Sequence, residues 1–506
     1  MRVNRVILLQ ELDTSMQKIA EEFRKYYFLK ISPSIFLAAA YVSAMSRLCL
    51  VAINLLVSWS FSQTLPTGPR LKDVCSRIKI GGLARAGGGT ADGLFAGAQQ
   101  AQFTTVVSRE YSLMQTPWYP AWGGWNGVGN YDFTDLNRCV NWAKANGKFL
   151  QVHVLAGQDL YEPSWLLNGT WTNAQLDTLL KNMIYAIMDA NDNKSKVDVW
   201  NVMNEVIDDN GHYRTNLKFA QLGWEADASG LTGTAKINTQ HPVFIGKAFR
   251  YSRDKTLAKL ELRDYYFADG GPKYLAYYQL VKHMLAKGYP IDAIGEQGHV
   301  NSQYDRPPEF GPNLRSFKDL GLEVYLSEVD LTDWPFTTWN ATAAASQRTV
   351  YRNLFTTAIN AGVNLISTWG VSDNNDPTWL AGQHPLPFDE NYNPKPAYYG
   401  IQDALLNTQN ICVTGIRDEK SGMPGDKFFT LSLNPYGGSI FLSIDPAIPG
   451  VWRVELTDFL GKRIHLEEFQ EGNGNRVREF RVSGQGVYTL ILQNSKTRTI
   501  KKFIIP

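Results

Sequence analysis

A barrel of eight parallel strands alternating with helices, followed by a small all-β sandwich, is the fold class this sequence predicts. Three observations predict it. First, residues 197–205 (VDVWNVMNE) and 323–330 (EVYLSEVD) are short apolar runs that end on carboxylates, as buried parallel strands do at a functional face. Second, eight strand-like runs alternate with helical patterns between residues 77 and 405. Third, after about residue 405 short alternating strands follow one another through turn residues with no helical stretch between them. An open doubly wound sheet is the alternative for the first part. It would carry a phosphate loop after its first strand, and the Gly-rich stretch 81–93 has neither the lysine nor the spacing of one.

Taken in order, residues 1–44 show no clear fold pattern. Residues 45–63 (MSRLCLVAINLLVSWSFSQ) read as a secretory signal: Arg47 leads, an apolar run covers 48–59, and small residues precede Gln63. A membrane span is the competing reading, but the run is short and carries Asn54. A signal this far along the chain points to translation from Met45, so that 1–63 is extension plus signal. Residues 64–76 read as a Pro-containing linker. Strands are then expected at 78–84, 103–110, 149–155, 197–205, 257–264, 291–299, 323–330 and 365–373. Helices are expected between them, for example at 135–147 and 274–288, each closing on a Gly after Asn or Lys. Residues 77–405 thus make the barrel domain. Residues 411–506 make the sandwich, with strands in FFTLSL, SIFLSI, VWRVELTD, VREFRV, GVYTLILQ and TIKKFIIP.

Composition narrows the function. A net charge of +2, with 19% charged residues and no basic run, argues against nucleic acid as a partner. The 14 Trp and 24 Tyr suit stacking on sugar rings, although a large barrel carries many aromatics in any case. The cysteines, Cys49, Cys75, Cys139 and Cys412, show no CxxC pairing and no His at ligand spacing, so a zinc site is not expected, and the reading below implies neither metal nor cofactor. With Cys49 in the removed signal, Cys75, Cys139 and Cys412 are expected as buried free thiols, a Cys75–Cys139 bridge being the alternative.

Two strand-end glutamates in one barrel suggest glycosidase chemistry, which needs two facing carboxyls. At these residues the chain resembles glycoside hydrolase family 10, the endo-β-1,4-xylanases, over roughly residues 77–405. VWNVMNE, GEQGH (295–299), SEVD (327–330), WGVSD (369–373) and PLPFDENYNPKPAYYGI (385–401) carry the resemblance, in family order. It implies a (β/α)8 TIM barrel and a retaining endo-1,4-β-xylanase that cuts xylan internally, with Glu205 as general acid/base and Glu328 as nucleophile. It implies that Asn204 bonds the sugar 2-OH and that Gln297 contacts the acid/base side. His299 would orient Glu328, Asp330 would hold His299, and Trp369 and Trp379 would wall the subsite of the cleaved sugar. Glu110 and His153 match further substrate-binding positions.

The chain departs from the family at several sugar contacts. The family's E-N-x-x-K, matched at 110–114, has Tyr111 and Met114 in place of Asn and Lys. After His153, Gly157 and Gln158 replace a Trp and a His, and the fifth strand ends Arg263-Asp264-Tyr265 instead of N-D-Y. The gap between Trp369 and Trp379 is also longer than usual. Arg263 brings a cation near Glu328, where it is expected either to lower the carboxyl's pKa or to bind an acidic substituent of a decorated xylan. A hydrolase of a different or substituted β-linked glycan and a catalytically weak glycan-binding relative are the alternatives. Residues 434–444 and 455–464, GVYTLILQ and the basic last strand resemble the sorting domains of type IX secretion substrates. That implies bacterial secretion machinery as a partner, a secreted or cell-surface location and no stable membrane span. A carbohydrate-binding module is the alternative, disfavoured by the lack of an aromatic row.

Overall fold

The computed structural model of the chain describes residues 63–408 and 429–505, except 76, 89–90, 302–305, 334, 337, 375–379, 381, 435–438, 445–449, 459–461, 472–476, 482–485 and 495–497. The expected signal, Met45, Cys49, Trp379 and Cys412 lie outside the described residues.

Eight strands form the barrel: β1 (Lys79–Leu83), β2 (Leu113–Pro117), β3 (Phe149–Gly157), β4 (Val199–Asn204), β5 (Lys259–Asp264), β6 (Ala293–Glu296), β7 (Glu323–Thr332) and β8 (Leu365–Thr368). Each pairs with its sequence neighbours, β1 also pairs with β8, and every pairing is parallel, so the sheet closes on itself. One helix longer than two turns follows each strand: α1 (Gln100–Glu110), α2 (Thr134–Ala145), α3 (Asn173–Asp189), α4 (Val243–Arg253), α5 (Gly271–Ala286), α6 (Phe310–Asp319), α7 (Ala341–Ala361) and α8 (Pro396–Asn407). This is the expected (β/α)8 barrel.

The barrel interior changes character along its axis. Leu113, Val199, Ala293, Tyr325 and Leu365 close one end with an apolar plug near the strand starts. Further along the strands, Gln115, Gln151, Asn201, Glu261 and Ser327 are fully buried. Buried polar groups need partners, and these lie under the strand ends where the functional groups sit.

One expected strand is a helix. Residues 103–110 are rich in Val and Thr and read as β, yet they form the end of α1. Its buried positions are Phe103, Val106, Val107 and Glu110, spaced by three, one and three residues as on one face of a helix. The true second strand starts at Leu113. The expected linker is also part of the barrel's packing: Leu71 and Val74, on a short helix, are buried in the main hydrophobic core. Cys139 is the buried free thiol expected, whereas Cys75 is disulfide-bonded, which overturns both its expected free thiol and the Cys75–Cys139 bridge.

The C-terminal strands are β9 (Phe429–Asn434), β10 (Ser439–Ile444), β11 (Gly450–Asp458), β12 (Arg463–Glu471), β13 (Val477–Arg481), β14 (Gly486–Gln493) and β15 (Arg498–Ile505). They form two antiparallel sheets, ordered β9-β10-β13 and β12-β11-β14-β15. Trp452, Val454, Leu456, Leu490 and Leu492 alternate along β11 and β14 and are fully buried, as the inner face of a sandwich requires. Among the described residues no helix is long and apolar enough to cross a membrane.

Candidate active site

The two glutamates of the sequence motifs sit at strand ends on the same face of the barrel. Glu205 directly follows β4 and has φ of 55°. A left-handed backbone at a non-glycine residue costs about 1–3 kcal/mol and persists where the surroundings over-determine it. Here they do: the Glu205 N–H donates to the Arg263 carbonyl at 3.0 Å. Its side chain accepts from Asn204 Nδ2 at 3.0 Å and Gln297 Nε2 at 2.7 Å, and also from Gln158 Nε2. Asn204 in turn donates to the Tyr161 hydroxyl at 3.2 Å. Burial, then the charges of Glu328 and Asp264, push the Glu205 carboxyl up to about 7.

Glu328 lies within β7, where register against β8 slips between Leu326 and Val329. Such an irregularity re-aims a side chain. Arg263 Nη1 donates to its Oε1 at 2.8 Å, His153 Nδ1 stands 3.6 Å from the same oxygen, and His299 Nε2 stands 3.5 Å from Oε2. Burial alone would raise this carboxyl, but His153, His299 and Arg263 outweigh it and hold Glu328 down at about 2. His153 is itself pushed down to about 3 by burial and by Arg263, so it is neutral at neutral pH. The standing positive charge therefore comes from Arg263 and from His299. Asp330 accepts from His299 Nδ1 at 2.7 Å and, against the effect of burial, lifts it to about 10. Trp369 packs edge-on against both imidazoles, with ring centroids 5.1 Å from His153 and 6.4 Å from His299.

Asn204, Gln297, His299, Asp330, His153, Trp369 and Arg263 are thus gathered around the two glutamates. Glu110 is not. It ends α1, before β2 begins, and so lies at the opposite end of the barrel from the strand ends. Its fully buried carboxylate accepts from the Leu71 N–H at 3.1 Å and the Tyr398 hydroxyl at 2.9 Å, and pairs with Arg109. Tyr111 and Met114 share the early part of that strand connection and are buried core residues rather than altered sugar contacts. The residues at the end of β2 are Thr116, Pro117 and Trp118. Arg263 is fully buried and engaged by Glu261 and Glu328, so it cannot reach a sugar substituent.

Several site residues escaped the sequence reading. Tyr161 stacks on Tyr119 (centroids 6.1 Å apart, planes at 8°), and the exposed Trp122 joins them. Tyr161 fills the space left by Gly157, where an added Cβ would fall 2.9 Å from its ring and 2.3 Å from the Asn204 carbonyl oxygen. Glu261 escaped too, although its signal was present: Glu261 and Arg263 alternate along β5, which points both side chains to one face of the strand.

Two cavities lie near these residues. One of about 560 Å³ is lined by Arg85, Pro117, Trp118, Tyr119, Trp122 and Asp132. Tyr119 links it to the centre, its ring 5.7 Å from that of His153. The other, about 570 Å³, is lined by Tyr266, Asp269, His299, Asn301 and Arg306. Elsewhere, Asp227, His241 and His283 bring possible ligand atoms within 4.8 Å of one another. Their ring nitrogens are already engaged: His241 by the Tyr213 hydroxyl and Asp227, His283 by the Ala228 N–H and Glu225. That set fits a hydrogen-bond network, not a metal centre.

The family model described as glycosyl hydrolase family 10 matches residues 101–404, and the model described as a secretion system C-terminal sorting domain matches 434–506. Endo-1,4-beta-xylanase B of Thermotoga neapolitana is 27% identical over 312 residues, covering 60% of this chain and 83% of that protein. An endo-beta-1,4-xylanase of Cellvibrio japonicus is 30% identical over 313 residues, covering 56% of this chain but only 48% of that protein. Among solved structures, native xylanase 10B of Thermotoga maritima superposes with a TM-score of 0.58 at 26% identity, over 67% of this chain and 98% of that one. With the family model covering more than half of its length, the chain belongs to glycosyl hydrolase family 10.

Proposed function

We propose that this chain is a retaining endo-1,4-β-xylanase that works outside the cell or at its surface, with residues 77–405 as catalytic domain and 411–506 directing export. The observation that carries the reading is the opposed setting of two nearby carboxyls: side-chain amides donate to Glu205, whose carboxyl is pushed up to about 7, while Arg263 and His299 stand against Glu328, whose carboxyl is held down at about 2. That is the division of labour a double displacement needs. Ionised Glu328 attacks the anomeric carbon, and Glu205 gives its proton to the departing glycosidic oxygen. The resulting ester carries no charge at Glu328, so the repulsion that raised Glu205 is removed and Glu205 can take a proton from water. That water attacks the anomeric carbon, and Glu328 leaves as a carboxylate. Asn204, whose amide donates to Glu205 at 3.0 Å, takes the sugar 2-OH in this reading.

Cleavage inside the polymer is supported by the two cavities near the site, one reached through Tyr119 and the other lined by His299. Export is supported by the sorting-domain match and by the disulfide at Cys75, since such bonds persist in oxidising compartments. A second reading, hydrolysis of a substituted or different β-linked glycan, is favoured by the aromatic wall of Tyr119, Trp122 and Tyr161. The test is reducing-sugar release from bare and glucuronate-substituted xylan, with Glu205→Ala and Glu328→Ala as controls. Release by the wild type from bare xylan, lost in both variants, is expected. Activity confined to another glycan would favour the second reading, and activity surviving in Glu328→Ala would contradict the mechanism.

A further inference from the structure

Beneath the nucleophile lies a charged layer that the two-carboxyl mechanism does not itself require. The Arg263 guanidinium, 0% exposed, donates from Nη1 to Glu328 Oε1 at 2.8 Å, and from Nε and Nη2 to the two oxygens of Glu261 at 3.0 and 2.8 Å. Glu261 is also 0% exposed and accepts from Gln151 Nε2 at 2.6 Å and Ser327 Oγ at 2.8 Å. Its place is kept open by Gly295, where a Cβ would fall 2.0 Å from Glu261 Oε1. The Arg263 cation is thus clamped from behind and presented to Glu328 without solvent between them.

An ion pair fixed on the nucleophile acts on the two half-reactions in opposite senses. When the ester forms, the C–O bond to the anomeric carbon consumes a lone pair of Glu328, and the glycosidic bond's electron pair leaves with the sugar oxygen as Glu205 protonates it. Glu328 loses its charge and Arg263 loses one of its two carboxylate partners while Glu261 keeps the other, so the starting state is stabilised more than the transition state. When water attacks the anomeric carbon, the ester C–O bond breaks and its electron pair returns to Glu328. Negative charge now grows where the cation already stands, which stabilises the transition state without reorganisation.

Building on the double-displacement reading above, we propose that Arg263, clamped by Glu261, is a positioning residue that makes Glu328 a favoured leaving group, so that formation of the glycosyl-enzyme limits turnover and its hydrolysis does not. The intermediate then does not accumulate, even with a reactive leaving group.

The experiment follows aryl release from a series of aryl β-xylobiosides in the first turnover and the steady state, using the full chain. The wild type is expected to show no burst, with kcat falling as the leaving-group pKa rises, down to dinitrophenyl. Arg263→Asn combined with Glu261→Gln removes both buried charges together, so that neither is left unpaired. That variant is expected to show a stoichiometric burst, a kcat insensitive to the leaving group, and a hydrolysis step slowed at least ~10-fold, together with a lower KM as the intermediate builds up. A burst in the wild type overturns the proposal without any variant. So does a folded double variant that keeps the wild-type pattern. A wild type that inverts the anomeric centre overturns the two-step reading and the inference with it, whereas a burst with retention overturns the inference alone.

Discussion

Glu205 and Glu328 are the same side chain in two opposite settings within one barrel mouth. Glu328 is buried and Glu205 half-buried, and loss of water by itself raises either carboxyl. Around Glu205 the neighbours are three side-chain amides and the negative charges of Glu328 and Asp264, and it ends near 7. Around Glu328 the neighbours are Arg263 and a His299 made cationic by Asp330, and it ends near 2. The difference teaches that placement at a strand end does not assign a role. The sign of the charge in the next layer does.

Breaking either half of the comparison gives the largest effects. Glu328→Gln removes the proposed nucleophile and is expected to lower kcat on xylan by roughly 10⁴–10⁶-fold. Glu205→Gln is expected to lose ~10²–10⁴-fold on xylan. The two should separate on an aryl β-xylobioside with a dinitrophenyl leaving group, which needs no proton: aryl release should return in the first turnover with Glu205→Gln and not with Glu328→Gln. Equal loss of that release in both would mean that their roles do not differ.

The pH profile sharpens the same contrast. In the proposed mechanism Glu205 works protonated from a raised pKa, so kcat/KM should fall as pH rises through about 7. Glu328 works ionised from a lowered one, so the acid limb should appear only as pH drops towards about 2. The lowered pKa also has a stability consequence. Its contribution is fully present above the ordinary 4.5 and is lost as pH falls through about 2, so thermal unfolding of Glu328→Gln should change less than wild type over that window.

A smaller effect is expected at Tyr161→Phe, which deletes the hydroxyl that accepts from Asn204 and leaves the stacked ring in place. A net hydrogen bond of about 1 kcal/mol predicts roughly a 5-fold drop in kcat/KM. The smallest effect on catalysis is expected at Glu110→Gln. Its carboxylate ties α1 to Leu71 and Tyr398, so the change should lower stability by about 1–3 kcal/mol and leave kcat and KM on xylan near wild type. A large KM effect there would put Glu110 back at the sugar.

These cases also mark what the sequence could disclose. β4 and β7 were legible because buried parallel strands are apolar and bounded, with the candidate glutamates just after β4 and inside the second half of β7. The error at 103–110 arose because Val and Thr favour strands locally, while the helical spacing of Phe103, Val106, Val107 and Glu110 was the better guide. That one displaced strand put Glu110 at the wrong end of the barrel and turned Tyr111 and Met114 into departures they are not. Arg263 was legible as a cation that lowers the Glu328 carboxyl, but its clamping was not, because that depends on Glu261 two residues earlier and on the opening at Gly295. The wall of Tyr119, Trp122 and Tyr161 was hidden because stacking between loops leaves no periodic trace.

The central claim is that Glu328 attacks the sugar while Glu205 first gives and then takes a proton. The most direct test is proton NMR of the anomeric signals during the first minutes of xylo-oligosaccharide hydrolysis by the wild type. The account predicts that the β-anomer of the new reducing end appears first and only later equilibrates with the α-anomer. An α-anomer formed first would mean a single displacement by water, and the assignment of Glu328 as nucleophile would be wrong.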